Sequence, residues 1–187
     1  MSAIKKLQQR IDELIVQLDL GKLEAVESVE KAKEGLRSRL DRITDSSADV
    51  AQPVKEKIGE LQVQLQLGKM ETKDAYFEQR EKIEHSIEGT GKAMKACKHH
   101  AAEEVHEAAE DLADKIHLLG FNLALAGEIA AEEAELAKGK FRIRLHEFAD
   151  KLRANSELAG EKAHQAADES REAYSDIRSN LRSLFKE

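Results

Sequence analysis

"QLDLGKLE" stands at residues 17–24, and the nearly identical "QLQLGKME" stands at residues 64–71, 47 positions further along the chain. The likeness extends towards the N-terminus, since ten of the fourteen positions in residues 11–24 are identical in residues 58–71. A weaker third copy begins at Ile116. Self-similarity of this kind indicates internal duplication of a long helical element.

The glycine of the first octet, Gly21, admits two interpretations. A glycine is the usual residue just after a helix, so it could end a helix of 18 residues. However, apolar residues continue past it in steps of three and four, without a change of phase. We therefore predict one helix over residues 3–44, in which Gly21 allows a second helix to approach closely. The stripe consists of Ile4, Leu7, Ile11, Leu14, Leu18, Gly21, Ala25, Val29, Ala32, Leu36, Leu40 and Ile43.

The composition is that of long, narrowly packed helices. The chain has 187 residues, of which 36% are charged and 4% aromatic, with a single proline and no tryptophan. Such a chain buries a thin apolar seam instead of a thick core. The predicted fold is all-α, an elongated antiparallel bundle of three to four long helices with coiled-coil-like seams.

Two segments predict interruptions between these helices. Residues 45–53 gather small polar side chains and end in Pro53, which cannot continue a helix. Residues 88–91, "EGTG", place two glycines around Thr90. With weaker breaks further on, one elongated unit over residues 1–187 is expected, with helices at about 3–44, 52–88, 92–138 and 140–186.

The repeated element carries apolar residues on a second face as well. Leu14 and Leu18 share one side of the helix, while Val16 lies roughly opposite them. A helix with two apolar stripes needs a cover on its back, and the run of residues 116–131 is apolar nearly all round, as in a buried helix. We expect the back face to be buried against another helix, preferably one of a second chain. The interaction face predicted in this way is Val16, Leu20, Leu23, Val63, Leu67, Met70, Phe121 and Leu125.

Candidate metal ligands occur but do not converge. The pairs Glu103/His106 and Glu161/His164 have the Glu-x-x-His spacing of di-iron helical bundles. Both pairs lie off the predicted apolar seams, whereas such ligands must project into the core. "CKHH" at 97–100 could supply zinc ligands, yet it is a single element. We expect no metal, no cofactor and no catalytic residue, and hence no enzyme.

Charge and hydropathy narrow the range of partners. The net charge is −7, and the stretch from His99 to Ala137 holds ten acidic residues and one base, Lys115. Without a cluster of bases, nucleic acid is not an expected partner. The N-terminal decapeptide lacks the apolar stretch of a secretory signal, and no run reaches membrane-spanning length. The lone Cys97 fits a reducing compartment, so a cytoplasmic location is expected.

These patterns favour a non-enzymatic structural or scaffolding protein. It would act through self-association, with a homodimer favoured, or through another protein partner. The first alternative is a surface-active amphipathic protein that coats lipid or a granule. The second alternative is a di-metal carboxylate bundle.

Overall fold

The computed structural model describes residues 3–46, 50–94, 100–127, 134–155 and 161–183. Every regular element in these ranges is a helix, so the predicted all-α class is confirmed. Seven helices are seen there, which is more than the three to four long ones expected. They are α1 (Ala3–Leu18), α2 (Lys22–Ser46), α3 (Gln52–Leu65), α4 (Lys73–Met94), α5 (His100–Leu125), α6 (Ala134–Asn155) and α7 (Glu161–Ser183).

The chain divides into two compact units, where a single one was expected. Unit 1 consists of Met1–Gly21 and Gly120–Glu187, and it contains α1, α6, α7 and the last turns of α5. Unit 2 is Lys22–Leu119, and it contains α2, α3, α4 and most of α5. The first boundary falls within the first copy of the repeated octet.

The octet ends a helix in both copies, and it does so with the same hydrogen bonds. After α1, the amide of Asp19 donates to the Val16 carbonyl at 3.1 Å, and that of Leu20 donates to Gln17 at 3.3 Å. After α3, Gln66 donates to Val63 and Leu67 donates to Gln64, each at 3.2 Å. These i to i−3 bonds tighten the last turn and satisfy carbonyls that the helix itself leaves open.

The continuous helix predicted over residues 3–44 is therefore wrong: α1 stops at Leu18 and α2 starts at Lys22. The alternative, a helix of 18 residues that ends before Gly21, was the better interpretation. The apolar stripe did not reveal the break because seven residues separate Leu18 from Ala25, which is two helical turns. Both side chains are buried, so the phase is kept although the helix is not.

The two copies differ in how the second helix begins. In the second copy, the Thr72 hydroxyl accepts a hydrogen bond from the Ala75 amide at 3.3 Å. This N-terminal cap delays the start of α4 until Lys73. The corresponding residue of the first copy is Ala25, which cannot cap and is already buried inside α2. The second copy thus has the longer connection, and its next helix begins with a side-chain cap that the first copy lacks.

The break predicted at residues 88–91 is absent, because α4 runs through it to Met94. Thr90 is buried, and its hydroxyl donates to the Lys57 carbonyl on α3 at 3.0 Å. A Cβ on Gly89 would lie 3.7 Å from the Lys57 side chain, so this face of α4 is packed against α3. Antiparallel packing of α3 and α4 offsets the cost of about 1 kcal/mol for each helical glycine.

The remaining predicted bounds also differ from the structure. The helix expected over residues 52–88 is divided into α3 and α4. The residues expected in one helix over 92–138 belong to α4, α5 and α6, and those expected over 140–186 belong to α6 and α7. Helix α5 ends at Leu125 because Gly127 follows with a φ of 77°, a left-handed conformation that favours glycine. By contrast, α2 ends at Ser46 and α3 begins at Gln52, inside the break expected over residues 45–53.

Unit 1 is built on three helices that contact one another, α1, α6 and α7. The end of α5 contributes Phe121, whose ring lies 6.2 Å from that of Phe141 on α6, centroid to centroid. An ion pair between Asp19 and Arg142 joins the end of α1 to α6. The buried residues of this unit on its three helices include Ile4, Leu7, Ile11, Leu14, Leu18, Phe141, Leu145, Phe148, Leu152, Ala166, Tyr174 and Leu181.

Unit 2 contains a buried lysine that binds the connection between α3 and α4. Lys33 on α2 is 2% exposed. Its ammonium donates to the carbonyls of Leu67 and Gly68, each at 3.2 Å, just past the end of α3. It also contacts Glu30 Oε1 at 2.8 Å and Gln79 Oε1 at 3.3 Å. A cation at this position complements the partial negative charge of a helix C-terminus. One side chain thus connects α2, the α3–α4 connection and α4.

Replacing this lysine tests how much the connection depends on it. We expect Lys33→Met to lower the free energy of unfolding by about 2–4 kcal/mol, because two carbonyls and an amide oxygen lose their buried donor. Chemical denaturation followed by circular dichroism measures the change. Lys31→Met is the control, since Lys31 is an exposed lysine of the same helix and should change stability by less than about 0.5 kcal/mol. Equal effects of the two substitutions would contradict the assignment.

Candidate functional site

The predicted interaction face is divided by the structure into exposed and buried members. Four of its side chains remain exposed, and two, Leu20 and Leu67, are half-buried. Met70 and Phe121 are fully buried, each 0% exposed. Within one chain the face is thus only partly buried, and its burial against a second chain stays a prediction. The exposed members are Val16 at 59%, Leu23 at 71%, Val63 at 60% and Leu125 at 42%.

Local geometry accounts for the two buried members. Met70 belongs to the longer connection of the second copy, which lies against Lys33 and folds the methionine inwards. Its counterpart in the first copy, Leu23, is in the first turn of α2 and points to solvent. Phe121 is buried because every residue of α5 from 116 to 123 is buried, as the apolar run over residues 116–131 predicted; residues 125–127 of that run are exposed.

The exposed valines occupy equivalent positions in the two copies. Val16 stands between Leu14 and Leu18, and Val63 stands between Leu61 and Leu65, all four leucines being buried. Two residues along a helix correspond to a rotation of about 200°, so each valine lies on the side away from the core of its own unit. The duplicated element thus presents the same β-branched side chain outwards twice, once in each unit.

A buried polar cluster lies in unit 2, between α4 and α5. Tyr76, Arg80 and Glu84 follow one another at intervals of four on α4, and so share one face. The Arg80 guanidinium carbon lies 5.5 Å from the centroid of the Tyr76 ring. On α5, His117 is 2% exposed, and its Nε2 lies 2.7 Å from Glu84 Oε1 without hydrogen-bonding alignment. The cluster combines a buried phenol and a buried imidazole with a half-buried guanidinium and a half-buried carboxylate.

The Tyr76 hydroxyl is held in its protonated form. No described residue lies in hydrogen-bonding geometry with it. Burial raises the pKa of Tyr76 from 10.0 to about 12, and the positive charge of Arg80 opposes this shift. The phenol is therefore neutral at physiological pH. The contact between His117 and Glu84 links this face of α4 to α5.

Of the proposed metal ligands, the pair that the structure describes, Glu103 and His106, belongs to no metal-binding group. His106 is 66% exposed on α5 and lies 3.5 Å from Glu110, while Glu103 is also exposed. Among the described residues there is no group of three side chains able to hold a metal ion. The side chains of Glu161, His164 and His100 and the whole of residues 97–99 lie outside the described part of the chain.

Two features of the structure were missed by sequence reasoning. The interval of four that links Tyr76, Arg80 and Glu84 was visible, but nothing in the sequence indicated that His117 would face them. The second feature is on α6, where Leu136 and Ile143 are exposed at 55% and 59% among basic residues. Their seven-residue spacing was a readable signal, since it places both on one face.

Comparison with protein-family models, with curated proteins and with solved structures finds no match to this chain. Among the described helices, none combines the length and the apolar character needed to cross a bilayer.

The raised pKa of Tyr76 predicts a specific alkaline dependence of stability. A folded-state pKa above the unfolded one gives stability that is complete below about pH 10 and is lost as the pH rises through about 12. A shift of this size corresponds to about 2–3 kcal/mol. We expect Tyr76→Phe to lack this part of the alkaline loss while staying within about 1 kcal/mol of the parent protein at neutral pH.

Urea unfolding of both proteins from about pH 9 to about pH 12 measures the difference directly. Other groups titrate in the same range in both proteins, and their contributions cancel in the comparison. The assignment would be wrong if the variant lost stability as steeply as the parent protein.

Proposed function

We propose that the protein is a non-enzymatic, cytoplasmic scaffold that acts by self-association, most simply as a homodimer. The observation that carries the proposal is the pair of exposed valines, Val16 and Val63, at equivalent positions of the duplicated element. Isolated apolar residues are common on protein surfaces. A duplication that keeps the same exposed valine in both copies favours a common role for the two positions.

Each unit also offers a further exposed aliphatic side chain to a second copy. Leu23 in unit 2 and Leu125 in unit 1 belong to the same predicted face and are also exposed. Burying a side chain of this size contributes roughly 1.5–3 kcal/mol, so a few of them suffice for a dimer of moderate affinity. A C2 dimer would use each of these side chains twice. We also propose that the assembled protein has the form expected from the sequence, an elongated antiparallel bundle.

The alternative of a di-metal bundle finds no support in the described residues. The pair whose side chains the structure describes, Glu103 and His106, is exposed on α5. A di-metal site needs its ligands inside the core of the bundle. A scaffold requires only that its packed helices keep a partner-binding surface in a fixed position. The described packing of both units is suited to that task.

Charge placed at the two valines tests the proposal. We expect the parent protein to sediment as a dimer and Val16→Asp/Val63→Asp to sediment as a folded monomer. Four aspartates at a symmetric interface would raise the dimer dissociation constant by at least about a hundredfold. Sedimentation equilibrium gives the constants, and circular dichroism shows whether the variant is folded.

The matched control is Gln9→Asp/Gln52→Asp, which adds the same two charges at exposed positions of the same helices, α1 and α3. It should dimerise like the parent protein. A parent protein that stays monomeric at every concentration, or a valine variant that dimerises unchanged, would refute self-association through this face.

A further inference from the structure

Helix α6 carries a short basic segment that stands out in an acidic protein. Four bases occur within seven residues, and no acidic residue falls among residues 136–146, although the whole chain has a net charge of −7. Lys140, Arg142 and Arg144 are exposed, and Lys138 is half-buried. The segment is therefore a local reversal of the protein's charge.

Exposed aliphatic side chains lie on the same side of α6 as two of these bases. Leu136, Lys140, Ile143 and Arg144 occupy positions i, i+4, i+7 and i+8, which form one stripe along a helix. Leu136 and Ile143 are more than half exposed. The opposite side of α6, with Phe141, Leu145 and Phe148, is buried in unit 1. We refer to the outward four residues as the α6 stripe.

The charges within the stripe are available to a partner. Arg142, beside the stripe, is paired with Asp19 of α1. Burial lowers the pKa of Lys138, with Asp19 acting against that shift. Lys140 and Arg144, in contrast, form no ion pair with the described part of the chain. The two bases that point away from the core are those without an internal counter-ion there.

We propose that the α6 stripe is a docking surface for the face of an anionic phospholipid bilayer. Headgroup phosphates would accept hydrogen bonds from Lys140 and Arg144 and would form ion pairs with these two side chains. Leu136 and Ile143 would enter the boundary between headgroups and acyl chains, as the apolar side of an interfacial helix does. Attachment would be peripheral and would leave the packing of unit 1 in place.

Two other acidic partners fit the stripe less well. A nucleic acid would engage the two bases through its phosphates but would leave both aliphatic side chains in water. An acidic protein segment would neutralise the charges and would need apolar residues of its own in register. Only a lipid surface offers negative charge and an apolar layer side by side over any area. The proposal does not depend on self-association, although a dimer would carry two stripes and bind with greater avidity.

Vesicle flotation tests the proposal on the full chain. Vesicles of phosphatidylcholine alone are compared with vesicles of phosphatidylcholine mixed with phosphatidylglycerol. We expect the protein to float with the mixed vesicles only, and less so as salt is added. Lys140→Glu/Arg144→Glu and Leu136→Ser/Ile143→Ser should each lower the bound fraction at least about tenfold. Protein that fails to float with anionic vesicles would overturn the proposal.

The control and the competing partners are measured alongside. Lys31→Glu/Lys69→Glu makes the same change of charge at exposed positions of unit 2 and should float like the parent protein. Circular dichroism verifies that each variant is folded, which is expected because all the substituted side chains are exposed. Double-stranded DNA and polyglutamate serve as the other ligands. Binding to either one that survives Leu136→Ser/Ile143→Ser, without flotation, would contradict a lipid surface and identify a general polyanion site.

Discussion

The termination of α1 and α3 at the repeated octet is the constraint on which the rest of the fold depends. In each copy the last turn closes with i to i−3 hydrogen bonds at the same two residues, 47 positions apart. Because α1 stops there, its apolar stripe is buried in unit 1 while that of α2 is buried in unit 2. Because α3 stops there, the chain can reverse its direction and α4 can pack against α3. The buried ammonium of Lys33 then fixes the second connection.

Much of the helical content and the break between α2 and α3 could be predicted from the sequence, but the break within the first octet could not. The residues predicted for the stripe of the first two helices are buried except Gly21, since their spacing depends only on helical geometry. The interruption at residues 19–21 was hidden because the seven positions from Leu18 to Ala25 correspond to two helical turns. Conversely, the glycines at residues 89 and 91 suggested a break that tertiary packing overrides: Thr90 is buried and bonded to α3. Local preferences describe an isolated helix, whereas these outcomes are decided by neighbouring helices.

Which residues lie on the predicted interaction face could be read from the sequence more readily than which of them are exposed. Periodicity placed Val16 and Val63 opposite the core, and the structure leaves both exposed. It could not distinguish Met70 from Leu23, because Leu23 already lies in the first turn of α2 whereas Met70 precedes α4, whose start Thr72 caps. The polar cluster between α4 and α5 could likewise be predicted only in part. Three members share a face of α4 by spacing alone, while His117 reaches Glu84 only through the folding of α5 onto it.

In the homodimer that we propose, a second copy of the chain covers the exposed valines. A spin label at one position per chain gives a dipolar signal only between copies, so Gln66→Cys in a Cys97→Ser background is a direct probe. Gln66 is exposed and lies one turn beyond Val63. Pulsed electron double resonance should show a defined distance that vanishes when labelled chain is diluted with an excess of unlabelled chain. A decay typical of isolated spins, at concentrations where the protein is folded and fully labelled, would show that the chain does not self-associate.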